Sequence, residues 1–198
     1  LLSNPKMKFD SHKPHRPFDN AQGRRSTRVK EYDYTQPGGY FVTIVTYHRD
    51  LLFGEIVNEE ICLNQLGCIT DECWRAIPEH FLNVELGEYV IMPNHVHGII
   101  VIHENIHLSV GAQHAAPLLQ QTSLRKPNVK PGSLGAIIRS FKSAVTRRIG
   151  REHNATGIWQ RNYYEHIIRN HQDWDRIHRY IESNPSMWAE DDENPKNL

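Results

Sequence analysis

Two histidines that lie two positions apart, His95 and His97, are the residues of this sequence best suited to bind a metal ion. They begin an apolar run of the kind that forms a buried β-strand. Side chains two positions apart in a strand point to the same face, about 6.5 Å apart along the chain, so both imidazoles can reach one divalent ion. A single His-x-His is a weak signal for a metal site, because histidines in strands often make hydrogen bonds without binding a metal. No other His-x-His occurs in the sequence, which favours a metal site.

A tyrosine about eighty residues later is the candidate for covalent chemistry. Tyr180 and Asn184 are four positions apart, a spacing that places two side chains on one face of a helix. An ordinary phenol has a pKa of about 10, so its attack on phosphorus needs a nearby cation such as a metal ion. Asn184 can offer its amide oxygen to the same ion, although Pro185 biases it away from helical geometry and makes a helix C-cap its alternative role. The alternative for Tyr180 is ordinary packing.

The hydrophobic pattern predicts the elements that position these residues. Alternating or continuous apolar runs predict strands, and apolar residues repeated every three or four positions predict helices. The predicted strands cover 40–47, 88–92, 95–103 and 158–168, and the predicted helices cover 64–81, 133–150 and 174–184. This order predicts an α+β, ferredoxin-like (RRM-like) antiparallel sheet with helices on one face. An added C-terminal helix would carry Tyr180.

Length and composition predict one globular domain with flexible ends. The chain has 198 residues, of which 38% are hydrophobic and 23% are charged, enough for one core. Residues 1–24 are predicted to form a flexible basic arm, residues 25–188 the domain, and residues 189–198 an acidic tail. Within the domain, periodicity disappears near 104–132, which predicts a flexible insertion.

The sequence also argues against secretion and membrane insertion. It has no run of eighteen apolar residues, and charged residues follow Leu1-Leu2 where a signal sequence would be apolar. Its three cysteines are odd in number and lack Cys-x-x-Cys spacing, so we expect reduced thiols. These observations predict a cytoplasmic protein with no membrane partner.

The zero net charge conceals an uneven distribution. Residues 1–30 hold eight Lys or Arg and two Asp, whereas residues 182–194 hold five acids and no Lys or Arg. The predicted helix from Ser133 has no acid and several bases, which would form a positive ridge suited to phosphates. Its bases are Arg139, Lys142, Arg147, Arg148 and Arg151. A solvated helix face explains the same pattern.

Three segments in the right order resemble the single-tyrosine HUH transposase family, and most closely the REP-associated tyrosine transposases. They are Met92-Pro93-Asn94-His95-Val96-His97-Gly98, Trp159-Gln160-Arg161-Asn162-Tyr163-Tyr164-Glu165-His166-Ile167-Ile168-Arg169 and Tyr180-Ile181-Glu182-Ser183-Asn184-Pro185. The resemblance covers roughly residues 24–188. It implies that His95 and His97 hold a divalent ion, magnesium or manganese, and that Tyr180 cuts single-stranded DNA through a 5′-phosphotyrosine link. Asn184 matches the polar residue that often serves as the third metal ligand.

The resemblance implies a metal-dependent DNA transesterase that cleaves and rejoins single-stranded or hairpin DNA at hairpin or repeat ends. Candidate DNA contacts are the arm residues Arg24, Arg25 and Arg28, the helix residues Arg139, Lys142, Arg147 and Arg148, and Trp159 as a base-stacking platform. The alternatives for these residues are solvation and core packing. No nucleotide cofactor is expected.

Two other functions fit the same residues. A domesticated, nonenzymatic nucleic-acid-binding module would use the same sheet without cutting. A metal-dependent hydrolase would use the histidines without Tyr180 and form no covalent adduct. Tyr163 and Tyr164 are rival nucleophiles, and alternation allows only one of Glu165 and His166 to enter the site. The recognised DNA sequence, the mobilised element and the choice between monomer and homodimer are left open by the sequence.

Overall fold

The computed structural model describes residues 32–104 and 130–197. The predicted arm over 1–24, including Arg24, lies outside these residues, as do Arg25 and Arg28. Most of the predicted insertion over 104–132 lies outside them as well.

The described residues form six strands and four α-helices. The strands are β1 (Gly38–Val45), β2 (Gly54–Val57), β3 (Glu60–Leu63), β4 (Val84–Ile91), β5 (His95–Ile102) and β6 (Tyr164–Ile168). The α-helices are α1 (Gln65–Arg75), α2 (Ile77–His80), α3 (Leu134–His153) and α4 (His171–Ser183). Short 3-10 helices occupy Tyr47–Arg49, Trp188–Glu190 and Pro195–Asn197.

Four strands form one antiparallel sheet in the order β4-β5-β1-β6. Its central strands pair so that Val45 lies opposite His95 and Thr43 lies opposite His97. Leaving aside the β2–β3 hairpin, this is the strand order of a ferredoxin-like sheet, with the first and third strands in the centre. The predicted α+β fold is therefore confirmed.

The first face of the sheet carries the main core. Alternate side chains of the central strands, including Val42, Val96 and Ile100, are fully buried there against α1 and α3. Trp74 of α1 meets Phe141 of α3 edge-on, with ring centroids 5.1 Å apart. Each helix begins at a capping side chain, because Asn64 Oδ1 accepts from the amide of Gly67 and Ser133 Oγ from that of Ala136.

The opposite face packs against α4. Phe41 and Ile99 of the sheet form a smaller buried cluster with Ile177 and Ile181, which lie four positions apart on that helix. The side chain of Asn170 caps the start of α4 by accepting from the amide of Asp173. This face also carries His95 and His97, so α4 and the histidines share one side of the sheet.

The structure differs locally from the predicted elements. A hairpin of β2 and β3 was not predicted; its two-residue turn uses Asn58 and Glu59, which both have positive φ, as a type I′ turn requires. The predicted helix over 64–81 is divided at Ala76, before the turn that contains Pro78. The predicted strand over 158–168 is regular only from Tyr164, because Asn162 adopts a left-handed conformation.

The residues predicted as an acidic tail pack against the domain. Asp191, Glu193 and Asn194 are 8%, 0% and 5% exposed, in contrast to the solvated side chains that a tail would have. Each of them makes hydrogen bonds within the domain, which compensate for the burial of its polar groups. Among the residues of the two described ranges, no helix is both long and apolar enough to span a membrane.

Candidate metal and tyrosine site

The two histidines lie side by side at the beginning of β5. Both are buried, and their ring centroids are 4.4 Å apart. His97 Nδ1 lies 2.9 Å from the hydroxyl of Thr43 on the neighbouring strand. If this nitrogen carries the proton and donates to the hydroxyl, Nε2 keeps the lone pair that a metal ligand needs. The predicted same-face geometry of His95 and His97 is therefore present.

Asn94 fixes the proton of His95. The amide nitrogen of Asn94 donates to the carbonyl oxygens of Arg49 and Glu193, at 3.0 and 2.7 Å. Its oxygen therefore faces His95 Nδ1, 2.9 Å away, and can only accept. His95 must donate from Nδ1, which leaves the lone pair on Nε2. This arrangement of a metal-binding imidazole and an outer hydrogen-bond acceptor is common in metal sites.

Tyr180 projects from α4 towards the histidines. Its hydroxyl lies 3.3 Å from Nε2 of His97, and its ring meets Phe41 edge-on at a centroid distance of 6.0 Å. The neighbouring Ile177 and Ile181 are buried in the cluster beneath α4, which fixes the rotation of the helix. The two motifs that the sequence separates by more than eighty residues therefore meet at one place.

Asp191 is a third group at this site, and sequence reasoning missed it. One potential ligand atom from each of His95, His97 and Asp191 lies within 4.8 Å of the others. The Asp191 carboxylate accepts from the backbone amide of Glu193 at 2.6 Å and from the side-chain amide of Asn184 at 3.1 Å. The only sequence signal was an acidic run after the predicted tyrosine helix, and such runs are usually solvated.

Asn184 is next to this cluster and has two features that bear on its predicted roles. It is the C-cap residue of α4, which agrees with the alternative role that its position suggested. Its side chain is only 2% exposed, and within the described residues its Oδ1 has no hydrogen-bond partner. A buried amide oxygen without a partner costs about 1–3 kcal/mol, so a cation near this atom would be stabilising. Metal ligation by Asn184 stays a prediction.

The donor set fits a divalent ion. Two imidazole nitrogens and a carboxylate oxygen stand together, beside the unsatisfied amide oxygen of Asn184. Carboxylate and amide oxygens suit magnesium and manganese, whereas imidazole extends the choice to later transition metals. The residues present therefore fit the magnesium or manganese ion that the sequence predicted.

Neither Glu165 nor His166 belongs to the His95, His97 and Asp191 group. In the β1–β6 pairing, Glu165 lies opposite Val42 of the core face and His166 opposite Phe41 of the α4 face. Nε2 of His166 lies 2.8 Å from the carboxylate of Asp173 at the start of α4. Burial raises the pKa of Asp173, but hydrogen bonds from His166 and Arg176 outweigh it and hold this pKa below its usual value.

The two rival tyrosines, Tyr163 and Tyr164, lie in different surroundings. Tyr163 is partly buried against the main core, and Tyr164 begins β6 opposite Thr43. Tyr164 therefore shares the α4 face with the histidines, since directly paired residues point to the same side. The hydroxyl of Tyr180 lies within hydrogen-bonding distance of His97.

The predicted DNA contacts on α3 are not a single free basic surface. Arg139 and Arg147 are exposed, but Arg148 pairs with Glu72 and Glu152. Lys142 donates to the carbonyl oxygens of Gln160 and Asn162 at 2.8 and 2.6 Å. Because α3 packs on the core face, this helix lies on the side of the sheet opposite to the histidines.

Trp159 is also placed differently from its prediction as a base-stacking platform. Its ring lies 5.3 Å from that of Phe53 and 5.6 Å from that of Phe141, within the main core. Its Nε1 is buried and has no hydrogen-bond partner among the described residues. This packing favours the core-packing alternative for Trp159, and its role as a base-stacking platform stays a prediction.

One comparison with a solved structure agrees with this fold. No family model matches the chain. A solved structure described as a REP-associated tyrosine transposase bound to a REP hairpin is matched with a TM-score of 0.55 and 19% identity, over 83% of this chain and 76% of that one. A putative transposase from Deinococcus radiodurans is matched with a TM-score of 0.42 and 17% identity, over 78% of this chain and 95% of that one. The first likeness shows that the chain has the transposase fold.

A curated relative shows the family. A Haemophilus influenzae protein described as uncharacterized is 41% identical over 168 residues, which are 85% of this chain and 91% of the relative. The chain belongs to the same protein family as this relative. The likeness in fold to a REP-associated tyrosine transposase agrees with the ferredoxin-like sheet that the sequence predicted.

Proposed function

We propose that the protein is a metal-dependent DNA transesterase of the transposase kind, which cleaves and rejoins single-stranded or hairpin DNA through Tyr180. One observation carries this proposal: the hydroxyl of Tyr180 lies 3.3 Å from Nε2 of His97, which belongs to the candidate metal group. A phenol that merely packed on a helix would not need two buried histidines and a carboxylate beside it.

In the proposed reaction the Tyr180 oxygen forms a bond to the scissile phosphorus, and the bond from phosphorus to the 3′ oxygen breaks. The phenol loses its proton and the leaving oxygen gains one, so the products are a 5′-phosphotyrosine and a 3′-hydroxyl. No water is consumed, and the energy of the phosphodiester bond is retained. Attack by a 3′-hydroxyl on the phosphotyrosine reverses the step and rejoins DNA.

The protein groups have separate tasks in this proposal. Asn94 and Thr43 orient the two imidazoles, and the buried contacts of α4 hold the phenol beside them. A divalent ion held by His95, His97 and oxygen ligands would polarise the phosphate and offset developing negative charge. Nε2 of His97 can hold either an ion or the hydrogen bond of Tyr180, so ion binding and release of the phenol from His97 are coupled.

The proposed substrate is DNA with a single-stranded or hairpin character. The solved transposase that shares this fold is described as bound to a REP hairpin. For the present chain the three motifs and the site geometry support the same substrate class. Magnesium or manganese is the proposed ion, because phosphate oxygens complete the coordination that such ions prefer.

The test is covalent capture of DNA. End-labelled hairpin DNA from the flanks of the protein's own gene is incubated with the protein and manganese, and a denaturing gel separates any adduct. We expect an adduct with wild type and with Tyr164→Phe, the matched control on the same face, but none with Tyr180→Phe. An adduct that survives in Tyr180→Phe would move the nucleophile elsewhere. Cleavage with no adduct in wild type would favour a hydrolase.

A further inference from the structure

The buried acidic residues that follow α4 suggest a role beyond packing. We propose that Asp191 is a ligand of the divalent ion and that Arg49, acting through Glu193, is the positioning residue that holds Asp191 in place. This inference rests on the proposed function, since it requires an ion at His95 and His97. It assigns part of the metal centre to a segment, 191–194, that lies outside the three sequence motifs.

The Arg49–Glu193 pair ties this segment to the turn after β1. Nε of Arg49 donates to Oε2 of Glu193 at 2.6 Å, and the Glu193 side chain is 1% exposed whereas that of Arg49 is 30% exposed. A buried carboxylate is strongly destabilised when its partner is removed. Loss of Arg49 is therefore expected to push Glu193, and the backbone around it, towards solvent.

The same backbone is bonded to the histidine strand. The side-chain nitrogen of Asn94 donates to the carbonyl oxygens of both Arg49 and Glu193, while its oxygen accepts from His95. The buried side chain of Asn94 thus joins the turn, the 191–194 segment and His95. Moving Glu193 would disturb the residue that fixes the proton of His95.

Asp191 is held in a conformation that leaves it free to bind an ion. A carboxylate can accept about four hydrogen bonds or ligand contacts, and two of these come from the Glu193 amide and the Asn184 side chain. The remaining lone pairs belong to a carboxylate that shares a cluster with two imidazoles. Asn184, by donating to Asp191, keeps its own unsatisfied oxygen next to this cluster.

The turn that presents Arg49 is conformationally costly, which argues that its contacts matter. His48 and Arg49 both have positive φ, 53° and 60°, a region that residues other than glycine seldom adopt. Such backbone persists only where surrounding contacts require it. Here the Arg49 amide donates to the Thr46 carbonyl, and its own carbonyl accepts from Asn94.

A purely structural role is the alternative. The Asp191–Glu193 contact is also a local side-chain to backbone turn, of a kind common at chain bends. In that case loss of Arg49 would lower the stability of the fold but would leave the ion affinity of the folded protein unchanged. The two roles therefore differ in ion affinity, which can be measured without any DNA.

The experiment is a Mn²⁺ titration of the full chain, followed by the electron paramagnetic resonance signal of free Mn²⁺. We expect Asp191→Asn and Arg49→Met to weaken Mn²⁺ binding about 10–100-fold, the usual effect of losing a ligand or its outer partner. Arg49→Lys keeps the charge and should restore most of the affinity. Arg75→Met, which breaks the pair with Asp71 on α1, is the matched control and should bind as wild type does.

The possible results distinguish failure of the roles inferred for Asp191 and Arg49 from failure of the proposed function. Far-ultraviolet circular dichroism at the titration temperature establishes that each variant is folded. Wild-type affinity in Arg49→Met overturns the positioning role, and unchanged or tighter binding in Asp191→Asn overturns the ligand role. Wild type that binds no Mn²⁺ overturns the metal centre itself, and with it the proposed function. Weakening in Arg49→Met that Arg49→Lys fails to restore would overturn the proposal that the charge pair between Arg49 and Glu193 positions Asp191.

Discussion

The two faces of the four-stranded sheet differ in what they bury. One face packs against α1 and α3 through apolar side chains, and the other packs against α4 through a smaller apolar cluster bordered by buried polar groups. Strand β5 supplies both faces from adjacent residues, since Val96 belongs to the main core and His97 to the polar group. Because adjacent side chains of a strand point to opposite faces, the residues for stability and for chemistry lie on the two faces of one sheet and not in separate domains.

This separation makes neighbouring residues informative mutational pairs. Residues that differ by one position in β5 should affect different properties, because they point to opposite faces. Substitutions on the α1 and α3 side should lower the free energy of unfolding, whereas those on the α4 side should change metal binding and adduct formation. Variants on the two faces test how completely stability and chemistry are separated.

The largest effect is expected from His97→Ala. Loss of one imidazole removes a candidate ligand and the group next to the Tyr180 hydroxyl, so adduct formation should fall at least about a thousandfold. The free energy of unfolding should fall by about 1–3 kcal/mol, because the buried Thr43 hydroxyl loses its hydrogen-bond partner. Adduct yield and urea denaturation measure the two properties. A large loss of stability with intact adduct formation would mean that His97 serves the stability of the fold and not the chemistry.

The pair Ile99→Ala and Ile100→Ala tests the two faces with equal chemistry. Both side chains are fully buried, and each truncation should cost about 2–5 kcal/mol of unfolding free energy. Only Ile99→Ala, which loosens the cluster under α4, should also slow adduct formation at temperatures where the protein is folded. Equal rates for both variants would mean that α4 does not depend on this cluster to position Tyr180.

A pH effect should appear on the core side. Burial lowers the pKa of Lys142 to about 8, so between about pH 8 and 10.5 the unfolded chain binds more protons than the folded one. The free energy of unfolding should therefore rise with pH through this window, by up to about 3 kcal/mol from this group. Denaturation curves of wild type and Lys142→Met would show the difference. Parallel pH profiles would mean that the hydrogen bonds from the ammonium group to the Gln160 and Asn162 carbonyl oxygens offset its burial.

The smallest effect should come from the exposed bases of α3. Because α3 lies on the face opposite to the histidines, the double variant Arg139→Gln and Arg147→Gln should leave the affinity for hairpin DNA and its salt dependence unchanged. A weaker salt dependence in the α3 variant would mean that DNA contacts the core face of the sheet.

A truncation that begins at Val29 removes the predicted arm residues. It should flatten the salt dependence of DNA binding by about one unit for each lost phosphate contact.

The sheet and the tyrosine helix could be predicted because their signals are local. Strand alternation gave β1 and β5, and apolar residues three and four apart gave α1, α3 and α4. The His95, His97 and Tyr180 group followed from these elements and from the motif resemblance. The β2–β3 hairpin could not be predicted in the same way, since its strands have only four residues each.

The missed residues depend on contacts with no local pattern. Glu193 bonds to Arg49 across 144 positions and to Asn94 across 99, so the burial of the acidic segment cannot be read from its own residues. The intramolecular contacts of Trp159 and Lys142, both predicted DNA contacts, could not be predicted for a related reason. Sequence shows that they are aromatic and basic, but only the packed structure shows that a core ring and two carbonyl groups already contact them.

The sequence distance between the candidate metal donors affects the order of events during folding. Asp191 follows His95 by 96 positions, with α3, β6 and α4 between them. Contacts across such long loops form late, because the closure entropy must be overcome first. A nascent or partly folded chain would hold the histidines without the carboxylate. With Asp191 as a ligand and Tyr180 as the nucleophile, as proposed, the ability to cut DNA would then arise only in the fully folded enzyme, which would protect the cell from cleavage by unfinished chains.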